Sequence, residues 1–149
     1  MDKSLATTEI LSTTALTDLI IDTIQDMKGH KIVKMDLRKL DESPSDFFVV
    51  CEGSSITQVK AIADNIERRV KEETGMRPSH AEGKTGSTWV LVDYFDVVVH
   101  VFHPETRKYY EIEDLWSDAQ TTEYQDIWFR IGNPSGLKNL FTVQEDCYE

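Results

Sequence analysis

Apolar residues recur along this chain with two periods, one typical of helices and one typical of strands. An i, i+3, i+4 spacing predicts amphipathic helices over residues 13–27 and 55–73, the second with an apolar stripe that starts at Ile56. Runs rich in β-branched and aromatic residues predict strands over residues 31–37 and 46–51. Strands that alternate with helices indicate an α/β domain with a mixed sheet flanked by helices.

The longest β-favouring run predicts a hairpin of two strands, 89–94 and 97–102, joined by a tight turn at Phe95 and Asp96. The second strand carries apolar residues on both faces, so we expect it to lie inside the sheet. One face of the first strand combines large apolar groups with a carboxylate and is the better candidate for display; it consists of Trp89, Leu91 and Asp93. A short edge strand is expected within residues 77–83.

The local signals at segment ends are equally specific. Gly29 suits the position after the last turn of the first helix. Ser55 and Gln58 have the spacing of a capping box, in which each side chain satisfies the other residue's backbone donor. Pro104 suits the first turn of a helix, and one or two short helical segments are expected over residues 105–116.

The chain is long enough for one domain with a real core and too short for two ordinary ones. Residues 1–12 lack periodicity and are expected to form a flexible N-terminus, followed by the domain at residues 13–119. Residues 120–149 are interpreted as a C-terminal extension, partly ordered or disordered, because Gly-Asn-Pro-Ser-Gly at 132–136 interrupts its apolar residues. This extension could dock on the domain or await a partner.

A formal net charge of −11 argues against a protein that binds DNA or RNA by neutralising phosphates. It favours a basic partner, although the charge could simply maintain solubility. Two cysteines are too few for a disulfide framework, and no apolar run approaches the roughly 20 residues that span a bilayer. We therefore expect a cytoplasmic protein without a membrane segment.

Most signals for enzyme chemistry fail on geometry. His100 and His103 are three apart on a predicted strand and point to opposite faces, so no metal site is expected. The Gly-Lys-Thr triplet at 83–85 lacks the first glycine of a P-loop, because that position holds Pro78.

One enzymatic alternative is a residual nucleotidyltransferase. Gly53 and Ser54 precede a helix whose backbone amides could hold phosphate, and Asp93 or Asp96 would supply the carboxylate. A magnesium site normally needs carboxylates placed together on a strand, and two acids separated by a turn are a poor substitute. The interpretation is therefore a protein that is not an enzyme and needs no cofactor.

A group of aromatic and acidic residues remains as the candidate site. Aromatic residues are common interface anchors, and carboxylates beside them select a partner rich in Lys or Arg. The alternative is that the aromatic residues belong to the core and the acids to a solvated surface. The group comprises Trp89, Tyr94, Tyr109, Tyr110, Trp116, Asp93, Asp96, Glu111, Glu113 and Asp114.

From about Leu16 to Ala119 the chain resembles the ribosomal silencing factor family, also called the Iojap or RsfS family. The order and spacing of six segments carry the resemblance: Lys-Ile-Val-Lys-Met-Asp-Leu-Arg at 31–38, Ser-Asp-Phe-Phe-Val-Val-Cys-Glu-Gly-Ser-Ser at 45–55, Gln-Val-Lys-Ala-Ile-Ala-Asp at 58–64, Trp-Val-Leu-Val-Asp-Tyr at 89–94, Asp-Val-Val-Val-His-Val-Phe at 96–102 and Tyr-Tyr-Glu-Ile-Glu-Asp-Leu-Trp at 109–116.

The resemblance implies a nucleotidyltransferase-like α/β fold that lacks the catalytic carboxylates. It also implies binding to the large ribosomal subunit through ribosomal protein L fourteen. Occupying that surface would block joining of the small subunit and lower translation under nutrient limitation. A homodimer that pairs through the hairpin face is a further possibility.

The expected partner-binding residues match the motifs of the family, and alternation along the strands suggests which of them face outward. They are Trp89, Leu91, Asp93, Tyr94, His100, Arg107, Tyr109, Tyr110 and Glu113. The sequence departs from the family pattern at Phe95, where glycine is usual. A bulky residue there argues against an obligatory positive φ in the hairpin turn.

Overall fold

A computed structural model describes residues 12–125 of the chain. Within this range a single sheet is combined with two long and two short helices. The elements are α1 (Thr13–Asp26), β1 (His30–Asp36), β2 (Phe47–Glu52), α2 (Ile56–Thr74), β3 (His80–Glu82), β4 (Trp89–Asp93), β5 (Val97–Phe102), α3 (Pro104–Tyr110), α4 (Ile112–Leu115) and β6 (Gln120–Tyr124).

The six strands lie in the order β3-β4-β5-β2-β1-β6. Strands β2 and β5 are parallel neighbours, and every other pair in the sheet is antiparallel. All six residues of β2 and of β5 are buried, as expected for interior strands covered on both faces. The predicted fold class, a mixed sheet flanked by helices, is confirmed.

The larger core lies between the sheet and the two long helices. The apolar stripes of α1 and α2 pack on the face formed by alternate residues of each strand, and in β4 these are Val90 and Val92. Full burial of one such aliphatic side chain stabilises the fold by roughly 1.5–3 kcal/mol. Ile56, the first residue of α2, is 52% exposed and lies outside this core, contrary to the predicted stripe.

The smaller core lies on the opposite face of the sheet. It contains Phe48, Phe102 and Ile112, with Trp89 and Trp116 packed against it at its margin. Ile112 of α4 and residues of connecting segments, among them Leu37 and Trp116, cover this side instead of a long helix. Part of this face therefore stays accessible, and the candidate site lies there.

A polar junction holds the ends of the two long helices together. The Ser55 hydroxyl accepts from the backbone N–H of Gln58 at 3.1 Å, as the capping box predicts. The return bond differs, because the side-chain oxygen of Gln58 accepts from Ser54 instead of Ser55. The amide nitrogen of Gln58 also donates to the carbonyls of Met27 and Lys28, which ties α2 to the end of α1.

At the end of α1, Gly29 has a different role from the one predicted. The positive φ of 61° falls on Lys28, one residue earlier. Gly29 is required by close packing, since a Cβ there would lie 2.4 Å from Cγ2 of Ile24. A glycine in this position allows the chain to turn tightly against the helix that it has just left.

Strand β6 was not predicted. Residues 120–124 pair antiparallel with β1 at the edge of the sheet, so the ordered sheet includes residues that the sequence analysis placed in the C-terminal extension. The sequence of this strand, Gln-Thr-Thr-Glu-Tyr, is polar and mostly exposed. The apolar periodicity of the sequence therefore gave no signal for this strand. Backbone pairing with β1 holds β6 in place. The interpretation of residues 126–149 lies outside the described residues.

The hairpin turn between β4 and β5 lies at the expected residues, but the backbone φ of Phe95 was not expected. Phe95 has a φ of 70° and is 75% exposed, so the turn has a positive φ although a bulky residue argued against requiring one. Hydrogen bonds hold this conformation: the Phe95 N–H donates to the Asp93 carboxylate at 2.7 Å, and the Asp96 N–H donates to the Tyr94 carbonyl at 2.9 Å. The second bond closes a three-residue turn of the γ type.

We expect Phe95→Gly to raise the free energy of unfolding by about 0.5–1 kcal/mol. A left-handed backbone costs an L-residue roughly 1–2 kcal/mol, and the larger unfolded-state entropy of glycine offsets part of that gain. Urea denaturation measures the difference. Phe95→Ala is the matched control, because it removes the same ring and keeps the Cβ. Equal stability of the two variants would show that the backbone strain is absent.

Candidate partner-binding surface

A layer of aromatic rings covers the sheet face opposite the long helices. Trp89 stacks on Phe102 with ring centroids 4.9 Å apart, and the ring of Tyr110 lies at the same distance from the indole. Tyr109 contacts Tyr110 edge to face at 5.0 Å. This arrangement connects β4, β5 and α3 in one contiguous patch.

The outermost members of this patch are exposed. Tyr109 is 79% exposed and Tyr110 50%, while Trp89 and Leu91 are half-buried; Leu115, on the short helix α4 that follows α3, is 75% exposed. We call these five residues the aromatic face. Clustered exposed apolar side chains on one side of a domain mark an interaction site more often than scattered ones do.

Leu115 on α4 is a further exposed apolar residue that the sequence analysis did not select. Its spacing of three from Ile112 would place both residues on the same side of a regular helix. Helix α4 is only four residues long and buries Ile112 while it leaves Leu115 in solvent. Residue spacing alone gave no signal for this difference.

His100 lies beneath the aromatic face and is 3% exposed. Its Nδ1 accepts a hydrogen bond of 3.1 Å from the indole Nε1–H of Trp89. The ring of Phe48 meets the imidazole edge to face, with centroids 4.7 Å apart. His100 was expected to contact a partner directly, and this burial removes it from the accessible surface.

Arg107 is also buried, at 7% exposure, and forms an internal clamp. Its guanidinium binds both carboxylate oxygens of Glu113, at 2.8 and 3.0 Å, and one of Glu52 at 3.2 Å. A fourth bond of 2.7 Å reaches the backbone carbonyl of Lys31. The clamp fixes α3 and α4 against the ends of β1 and β2, so Arg107 positions the aromatic face and does not belong to it.

Two further members of the expected contact set have other surroundings. Tyr94 is 3% exposed and packs in the helix-side core, on the opposite face of β4 from Trp89. Burial raises the pKa of its hydroxyl far above the usual value. Glu113 is half-exposed, but both its oxygens are engaged by Arg107. Both residues were expected to contact a partner, but Tyr94 is buried and the carboxylate of Glu113 is bound by Arg107.

Other carboxylates accompany the aromatic face. Asp93 lies on the same face of β4 as Trp89 and Leu91 and is half-buried. Glu111 and Asp114, at the junction and on α4, are exposed. Asp93 belongs to the expected contact set, and Glu111 and Asp114 belong to the wider acidic group identified from the sequence. The surface thus combines apolar anchors with negative charge.

We expect the buried imidazole to make stability depend on pH. Burial lowers the pKa of His100 from 6.5 to about 4. Between these two values the unfolded chain binds a proton that the folded protein excludes, so the free energy of unfolding falls as the pH drops through this window. From pH 7 to pH 5 the loss from this residue is about 2 kcal/mol.

Chemical denaturation at the two pH values measures this loss. His100→Asn, which does not titrate, should lack that part of the pH dependence. The same loss in both proteins would contradict the assignment to His100.

The residues of the nucleotidyltransferase alternative lie at opposite ends of the sheet. Ser54 follows the end of β2 that pairs with Phe102, whereas Asp93 and Asp96 lie near the end that pairs with Val97. Six residues of strand, about 3.3 Å each, place roughly 20 Å between the two groups. They cannot form one catalytic site.

Among residues 12–125, no group of three or more His, Cys, Asp or Glu side chains is arranged to hold a metal ion. None of the helices described is both long and apolar enough to cross a membrane.

Comparison with known proteins decides the family. The family model described as ribosomal silencing factor during starvation matches residues 11–138. The chain belongs to the ribosomal silencing factor family. A ribosomal silencing factor from Halalkalibacterium halodurans is 38% identical over 117 residues, which cover 78% of this chain and 98% of the relative. The resemblance inferred from the sequence motifs is confirmed.

Solved structures and a more distant relative extend the comparison. The crystal structure of a Chromobacterium violaceum protein matches this silencing factor with a TM-score of 0.68 and 40% identity, covering 71% of this chain and 87% of that one. A mouse protein named mitochondrial assembly of ribosomal large subunit protein 1 is 32% identical over 75 residues, which cover 49% of this chain and 33% of the mouse protein.

Proposed function

We propose that this silencing factor binds the large ribosomal subunit through ribosomal protein L fourteen and uses the aromatic face to do so. The bound protein blocks joining of the small subunit by steric exclusion and lowers translation under nutrient limitation. Steric exclusion requires no turnover and no cofactor. The site of action is the cytoplasm, where the subunits meet.

The observation that carries the proposal is the aromatic face itself. Tyr109 and Tyr110 are exposed and in contact with each other, Tyr110 packs against the half-buried Trp89, and Leu115 is exposed on the next helix. Tyrosine and tryptophan are enriched among residues that dominate binding energy, and they lie near the centre of well-packed interfaces. A standard interface buries about 800 Å² on each partner, which a sheet face with two short helices can supply.

The charge of the protein supports a basic protein partner on the ribosome. The net charge is −11, and Asp93, Glu111 and Asp114 accompany the aromatic face. Carboxylates at this position attract Lys and Arg side chains, whereas the phosphates of ribosomal RNA repel these carboxylates. This combination favours a basic ribosomal protein over the surrounding RNA.

We expect Trp89→Ala to weaken binding to purified large subunits by about 2 kcal/mol, roughly 30-fold, if the indole is a central anchor. Co-sedimentation over a range of subunit concentrations measures the change. Because Trp89 also packs on Phe102 and Tyr110, a melting curve must show that the variant is folded at the assay temperature.

Ile56→Ala is the matched control for this experiment. It removes an exposed apolar side chain from α2, on the other side of the sheet, and should bind as the unmodified protein does. Unchanged co-sedimentation of folded Trp89→Ala would remove the indole from the interface. A homodimer through the same face remains a prediction, which light scattering across a dilution series tests.

A further inference from the structure

The hydrogen bond between Trp89 and His100 defines the state of a buried histidine. An indole N–H can only donate, so Nδ1 of His100 must be the unprotonated acceptor. The neutral imidazole then carries its proton on Nε2. This assignment follows from the 3.1 Å contact and needs no other partner.

The second ring nitrogen of His100 has no evident role in stability. Nε2 is buried and has no hydrogen-bond partner within residues 12–125. The surroundings of the ring are aromatic, with Phe48 at 4.7 Å and Phe102 nearly parallel at 6.1 Å. A phenylalanine in this place would keep the ring contacts and remove the unsatisfied Nε2 donor, which is normally a cost, but the Trp89 indole would lose its acceptor.

What histidine supplies and phenylalanine cannot is the acceptor for the Trp89 indole. That indole also contacts the rings of Phe102 and Tyr110, each with ring centroids 4.9 Å away. Ring stacking alone permits sliding and rotation, whereas a directed N–H bond selects one orientation. The hydrogen bond thus adds to the two ring contacts a constraint on the orientation of the indole.

We propose that His100 is a positioning residue that fixes the orientation of the Trp89 indole before the partner binds. His100 is too deeply buried to touch a partner and acts through the neighbouring ring. An anchor that is already ordered loses less conformational freedom on binding, so affinity rises without a new contact. This inference rests on the proposed function, because the indole is positioned for the large-subunit interface.

Two variants separate the hydrogen bond from the packing. His100→Phe keeps an aromatic ring and removes the acceptor. His100→Asn loses the ring but places a carbonyl oxygen near the position of Nδ1, where it can accept from the indole. The positioning role predicts that Asn restores what Phe loses.

The first measurement uses the full chain without a partner. Nitrogen-labelled protein gives one indole N–H resonance for each of its three tryptophans, and the Trp89→Phe variant identifies the resonance of Trp89. In His100→Phe we expect this resonance to move upfield and its proton to exchange faster with water. In His100→Asn the resonance should stay close to its original position.

The second measurement is co-sedimentation of the same proteins with large subunits. We expect His100→Phe to bind about tenfold more weakly and His100→Asn to bind within about threefold of the unmodified protein. Full-strength binding by His100→Phe, with its indole resonance shifted, would overturn the positioning role and leave the proposed function intact. Equal loss of binding by both variants would indicate a purely structural role and would also overturn it. Failure of the unmodified protein to bind would refute the proposed function and this inference with it.

Discussion

Replacement of Arg107 by alanine is expected to lower the free energy of unfolding by about 3–5 kcal/mol. The substitution leaves the carboxylate of Glu52, which is 10% exposed, without its cationic partner. It also removes a donor from the Lys31 carbonyl and both bonds to Glu113. A buried charge without a partner is among the most destabilising changes available to a folded protein.

Urea denaturation of three further variants separates the possible causes. Lys108→Ala, at the exposed neighbouring position, should change stability by less than about 0.5 kcal/mol. Addition of Glu52→Gln to the Arg107→Ala variant should recover part of the lost stability, because it removes the buried and unpaired carboxylate. Arg107→Lys should have an intermediate free energy of unfolding, since lysine keeps the positive charge but cannot bind Glu113 in a bidentate manner. A loss below about 1 kcal/mol in Arg107→Ala would show that the clamp is not a structural element.

The double variant Tyr109→Ala with Leu115→Ala is expected to bind large subunits about 100-fold more weakly, which corresponds to about 3 kcal/mol. Both side chains are at least 75% exposed, so the folded state loses little packing when they are shortened. The melting temperature should therefore stay close to that of the unmodified protein. This combination of normal stability and lost binding distinguishes a contact residue from a core residue.

Two exposed apolar residues away from the aromatic face provide the matched comparison. Phe95, 75% exposed at the hairpin turn, and Ile56 on α2 also carry exposed apolar surface. The double variant Phe95→Ala with Ile56→Ala removes that surface and should bind normally. A similar loss of binding in the two double variants would mean that general hydrophobicity, not the aromatic face, drives association.

Local sequence signals predicted most of the framework because they reflect short-range physics. The Val-rich strand β5 could not be amphipathic, so its interior position followed from its composition. The cap at Ser55 is equally local. The family motifs added the large-scale arrangement and the expected partner.

The features that escaped prediction depend on contacts between distant parts of the chain. Strand β6 is polar and exists through pairing with β1, nearly 90 residues earlier. Arg107 looks like an exposed helix residue until Glu52 and Lys31, from other strands, enclose it. Alternation correctly separated the faces of β4, but it could not show that Tyr94 lies beneath the long helices or that His100 is covered by Trp89.

The most direct test of the proposed silencing function is a sucrose gradient of mixed ribosomal subunits, run under conditions in which they join. An excess of the unmodified protein is added to one sample, and the Tyr109→Ala, Leu115→Ala double variant to another. We predict that the unmodified protein shifts material from joined ribosomes to free subunits and co-migrates with the large subunit. The double variant should leave the joined ribosomes in place. Equal joining with and without the unmodified protein would contradict the account.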